Sequence, residues 1–178
     1  CAMAPAENVL VVVDGPYYDA MRSSGHAVSR YIQDLTAAGN TVHAAFYYED
    51  AGNVYPVEKA NHLYMVIKNY YDAFGIDGAV LIGDLPYAPC WDAIASPPVF
   101  PNDYFFMDML DTGGTYPHSF TWSAAQRVDA FVFNPASCDN RAEIWVSRIT
   151  AAGITTEDAL DANGCPATQA ALTDQYLW

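Results

Sequence analysis

Several residues in this chain have the types and spacing to do chemistry. Asp103, Asp108 and Asp111 crowd ahead of Gly113-Gly114. A tight Gly-rich turn can gather carboxylates and carbonyls around a hard ion, so the trio is a candidate calcium site, without the EF-hand spacing. Asp84 ends the stretch Asp77-Gly-Ala-Val-Leu-Ile-Gly-Asp84. It either caps a turn with its side chain or stands as a functional group at a strand end. Cys138, in Ser-Cys-Asp-Asn, has the nucleophile's type, and His118 upstream has the type of its base. A disulfide between Cys138 and Cys165 is the blander reading of the same thiol. Arg148 is one of only seven basic residues and calls for a carboxylate partner.

The elements that position these residues follow from the apolar pattern. Asn8 to Asp14 reads as a first buried strand, rich in valine. Asp14-Gly15-Pro16 then turns the chain. Val28, Tyr31, Ile32 and Leu35 recur at helical spacing, with Ser24 as N-cap and Gly39 as stop. Thr41 to Tyr48 is a second strand. Pro56 opens a longer helix whose apolar face is Ala60, Leu63, Ile67, Tyr70, Tyr71 and Phe74, and Gly75 ends it. Ala79 to Ile82 suits a fully buried third strand. This βαβαβ alternation predicts a parallel sheet.

Beyond residue 85 the texture changes. Prolines at 86, 89, 97, 98 and 101, with another at 117, predict ordered loop. Tyr104 to Met109 has strand character. Residues 115 to 141 read as an irregular insertion with a strand at Ala130 to Phe133. Ala142 to Ile149 is a further strand, and Thr155 or Thr156 caps a last helical stretch. The tyrosine pairs 17/18, 47/48 and 70/71 predict one core and one surface ring each, or else a binding face for sugar or protein.

Composition narrows the function classes. The 178 residues carry a formal charge of −14, with 52% hydrophobic and 16% charged residues. Such a chain folds, and it lacks the Lys and Arg clusters that nucleic acid or an anionic membrane requires. No Walker or GxGxxG pattern follows the first strand, which removes the usual phosphate cradle. The four cysteines, at 1, 90, 138 and 165, have no CxxC spacing, which argues against zinc and thioredoxin chemistry. Few lysines and thirteen tyrosines give an exported look, in which Cys138–Cys165 is the first pairing to test. Cys1 is a candidate lipoprotein start. No apolar run reaches membrane-spanning length, so the chain reads as mature and soluble, and the exported look places it as secreted or at the cell surface.

The order Val80-Leu-Ile-Gly-Asp84-x-Pro86, then Asp103-Tyr104 with its acidic Gly-rich turn, then Glu143-Ile-x-Val-x-Arg148-Ile149 resembles gingipain-type cysteine peptidases over about residues 8–150. The resemblance implies a caspase-like, flavodoxin-like three-layer α/β sandwich with a mainly parallel sheet and a long irregular insertion after the third strand. It implies one α/β domain over 1–178, in which 151–178 is a helical segment leading to a second subdomain. It places Asp84, Asp103, Asp111 and Arg148 at strand ends bordering the substrate cleft, with Asp111 matching the acidic residue that shapes the specificity pocket. The family's catalytic His stands in a His-Gly step and its Cys follows a later strand, both in the second subdomain. None of His26, His43, His62 or His118 precedes Gly. The expected function is therefore the amino-terminal, non-catalytic subdomain of an exported peptidase. Its partners would be the remaining subdomain and a peptide or protein substrate. The alternative is a non-enzymatic extracellular binding or assembly module that kept the fold.

Overall fold

A computed structural model describes residues 5–21, 27–53, 55–91, 99–109, 117, 119–122, 129–133 and 141–150. Expectations for Cys1, Ser24, His26, Asp111, His118, Cys138, Cys165 and the helix after 151 lie outside the described residues. The protein is mixed α/β, with a mainly parallel sheet. The chain divides into two compact units: Cys1–Tyr48 with Gly78–Leu85 and Ser147–Trp178, and Glu49–Asp77 with Pro86–Val146.

In the first unit, β1 (Asn8–Asp14) lies between β2 (Thr41–Tyr47) and β3 (Gly78–Ile82), parallel to both. Val9 to Val13 are consecutive and all buried, as are Ala79 to Ile82. A strand covered on both faces needs such an unbroken apolar run, and β-branched valine suits its pleat. The in-register pairs Asp14 with Tyr47 and Val13 with Ile82 bring the carboxyl ends of the strands together. The sheet's strand order is completed by β8 (Trp145–Ile149), next to β3.

Among the described residues, two helices serve this unit. The expected turn at Asp14-Gly15-Pro16 is instead the start of α1 (Gly15–Met21). Its first turn is stabilised because the Asp14 carboxylate accepts the Tyr17 N–H at 3.4 Å, and Pro16 brings a helical φ with no N–H to satisfy. The second helix, α2 (Ala27–Ala37), packs on β2 and buries Ala27 and Val28.

The second unit is organised by α3 (Pro56–Phe74). Its N-terminus is closed by Glu58, whose carboxylate accepts the Tyr55 N–H at 3.0 Å, and Gly75 ends it in the left-handed conformation at φ 61°. The expected loop and insertion contain a small second sheet in the order β5-β4-β7-β6: β4 (Pro89–Trp91), β5 (Val99–Pro101), β6 (Phe120–Thr121) and β7 (Phe131–Phe133). Pro89 is tolerated there because it is the first residue of its strand, and Pro101 because β5 is an edge.

The strand expected at Tyr104 to Met109 is a 3-10 helix, Asp103–Phe106. Asn102 caps it by accepting the Tyr104 N–H at 3.0 Å. Phe105 and Phe106 are adjacent and both fully buried, which the alternation of a half-buried strand cannot deliver. The last strand is shorter than expected, beginning at Trp145 rather than Ala142. Of the tyrosine pairs, only 47/48 divides cleanly, with Tyr47 buried and Tyr48 54% exposed; Tyr17, Tyr18, Tyr70 and Tyr71 are all half-buried.

Candidate functional site

The carboxyl ends of β1 and β3 gather polar side chains in a way the apolar strands beneath them do not. Asp14 closes β1 and is only 9% exposed. Gly83 follows β3 with φ 102°, a conformation open to glycine and strained for other residues. A Cβ at Gly83 would lie 2.7 Å from the Asp14 Cβ and 3.2 Å from the Tyr17 ring, so this backbone passes directly against both side chains. Only a residue without a side chain permits that approach. The Gly83 N–H is satisfied by the Ile149 carbonyl at 2.9 Å.

Asp84 comes next and is exposed. It acts on Tyr17, whose phenol is pushed up to about 12, by burial first and then by the charges of Asp84 and Asp14. The phenol therefore keeps its O–H donor beyond the pH at which an ordinary tyrosine ionises. Leu85 is buried, and its carbonyl accepts a hydrogen bond from Arg148 Nη1 at 3.0 Å. Arg148 thus fixes the segment that carries Asp84 past the end of β3.

Of the residues singled out in the sequence, Asp84 and Arg148 are brought to these strand ends. Asp103 and Asp108 are elsewhere, at the 3-10 helix of the second unit. Asp103 is half-buried at its start and Asp108 is fully buried just beyond it. Glu143 ties down the following segment: its carboxylate accepts the Met109 N–H at 2.7 Å, and its own N–H donates to the Met107 carbonyl at 3.0 Å. Among the described residues no group of three His, Cys, Asp or Glu could hold a metal ion. Asp111 lies outside them, as do Cys138 and Cys165. His43 sits half-buried in β2 and His62 half-buried on α3.

Asp14 and Tyr17 are the members of the site that sequence reasoning missed. Asp14-Gly-Pro was legible as an end to the first strand. The contact of Asp14 and Tyr17 with Gly83 depends on strand pairing that no local pattern carries. Cys90 is a free thiol, fully buried in β4. Burial pushes it up to about 12, and a hydrogen bond with Asn102 offsets only part of that rise, so Cys90 has no thiolate for nucleophilic work. A scan against protein-family models, a search of curated proteins and a search of solved structures each returned no match.

Proposed function

We propose that this chain is the amino-terminal, non-catalytic subdomain of an exported gingipain-like cysteine peptidase. In this reading it has the caspase-like three-layer fold, and it shapes the substrate cleft of a catalytic half that lies outside these 178 residues. The observation that carries the proposal is the Arg148 to Leu85 bond. It joins the two motif segments on which the resemblance rests, Val80 to Pro86 and Glu143 to Ile149, at the carboxyl end of a parallel sheet, where α/β proteins place ligands. Asp84 and Arg148 are then cleft-bordering residues, and Asp111 is the acidic contributor to the specificity pocket. Among the described residues no helix is long and apolar enough to cross a membrane.

Two checks separate this reading from its rivals. The 178-residue chain alone is expected to leave peptide substrates intact; turnover lost on Cys138→Ala would overturn that and make Cys138 and His118 the working pair. The reading frame beyond Trp178 is expected to encode a His-Gly step and a later Cys, and a frame lacking both would sink the peptidase proposal.

A second reading, a binding or assembly module of an extracellular structure, draws on a different observation. Phe46 of β2 and Tyr48 just beyond its end are 50% and 54% exposed, and Tyr18 packs on Phe46 with ring centroids 4.7 Å apart. In both readings Asp103, Asp108 and Asp111 are proposed to share a calcium ion. Cys138 and Cys165 are proposed to be bridged. If calcium binds only the native state, the melting temperature rises with free calcium and Asp108→Asn removes most of the rise. A curve indifferent to calcium and chelator rejects the metal. Intact mass under non-reducing conditions reads the disulfide.

A further inference from the structure

The second unit contains a cleft of about 320 Å³, within the size range of small-molecule sites. Its lining includes Glu58, Asn61 and His62 of α3, Trp122 and Phe131, and Asp50, which is exposed. Two carboxylates therefore line a partly aromatic cleft, and among the described residues lining it none is Lys or Arg. Lys59, the neighbour of Glu58 on the helix, is engaged by Glu49 at 2.7 Å.

Both carboxylates are fixed before any ligand arrives. Glu58 Oε2 accepts the Tyr55 N–H at 3.0 Å, and Asp50 Oδ1 accepts the Gly52 N–H at 2.9 Å. Prior fixing of this kind reduces the ordering cost of binding. Asn61, half-buried on α3, adds an amide to the lining.

The chemistry of the lining selects the ligand class. An anion would meet two carboxylates and, among the described residues lining the cleft, no Lys or Arg. A purely apolar molecule would strip water from acceptors and give nothing back. A neutral polyol could fill the hydrogen bonds but would gain nothing from the charges. An ammonium group supplies several N–H donors and a positive charge, and its stem can lie against Trp122, the half-buried ring of the lining. The net charge of −14 favours its approach as well.

We propose that this cleft binds a small organic cation, an ammonium head on a short aromatic or aliphatic stem. The proposal is independent of the peptidase reading, because every residue in it belongs to the second unit and none to the strand ends of the first.

The test is calorimetric titration of the purified chain with phenethylamine, beside phenethyl alcohol, which has the same stem and a neutral head. The amine is expected to bind saturably, at least about tenfold more tightly than the alcohol, and to weaken as salt is raised. Asp50→Asn changes charge and little else at an exposed position, and is expected to weaken the amine about five- to tenfold, as the loss of a charge-assisted contact should. Glu58→Gln keeps the acceptor for Tyr55 and is expected to act in the same direction, with an unchanged melting temperature confirming the fold. Equal affinity for amine and alcohol, indifference to Asp50→Asn, or no saturable binding of the amine overturns the proposal.

Discussion

The two units reach a dry interior by opposite routes. In the first, the core is sequential: Val9 to Val13 and Ala79 to Ile82 are unbroken buried runs on neighbouring parallel strands. In the second it is assembled from scattered rings. Phe105 lies 4.4 Å from Phe131, 5.1 Å from Phe120, 5.3 Å from Phe106 and 5.5 Å from Tyr64 of α3, centroid to centroid. These edge-on and tilted pairs come from a helix, a 3-10 turn and two very short strands. A run of aliphatic residues buries itself wherever its strand pairs. A hub of rings exists only once distant segments have met.

The largest expected effect follows from that contrast. Phe105→Ala removes the ring at the centre of the hub and is expected to cost about 3–5 kcal/mol by denaturant unfolding. The hub would not be the core of this unit if the loss were below about 1 kcal/mol. Gly83→Ala strains a left-handed residue and drives a methyl against the Asp14 Cβ, so about 1–3 kcal/mol should be lost. The damage should fall on the first unit, read as faster amide exchange in β1 and β3 with α3 unaffected. Uniform exchange across both units would erase the distinction between them.

How much of this was legible divides along the same line. The limits of β1 and of α3 were readable from Asn8, Asp14, Pro56 and Gly75, because seven- and nineteen-residue elements show their period and their stops. The second sheet was not readable, since strands of two or three residues, such as Phe120–Thr121, are too short to show alternation. Aromatic residues also favour strands in general, which is why Tyr104 to Met109 read as one; the Asn102 cap decided otherwise. At the strand ends Asp84 and Arg148 were visible as residues of the right kind in the right place. Their joining through the Leu85 carbonyl, and the approach of Gly83 to Asp14 and Tyr17, are non-local and left no sequence signal.

A smaller effect sharpens the electrostatics of that site. Tyr17 holds its proton to about 12 when folded against an ordinary 10.0, so the neutral phenol contributes stability that is fully present below pH 10.0. That contribution is lost as pH rises through about 12. Asp84→Asn is expected to bring the Tyr17 midpoint down only part of the way, since burial is the larger cause, as read by phenolate absorbance against a Tyr17→Phe control. Full reversion to the ordinary value would make Asp84, not burial, the main cause, and no change would place Asp84 away from the phenol.

The most direct test of the proposed function is peptidase kinetics on this chain joined to the reading frame that continues it, comparing Arg148→Met with the unaltered protein. If Arg148 positions the wall of a substrate cleft, kcat/KM should fall about ten- to a hundredfold while the melting temperature stays nearly unchanged. A downstream Cys→Ala should abolish turnover altogether. Unchanged kcat/KM in Arg148→Met, or hydrolysis by the 178-residue chain alone, would contradict a cleft-shaping, non-catalytic role.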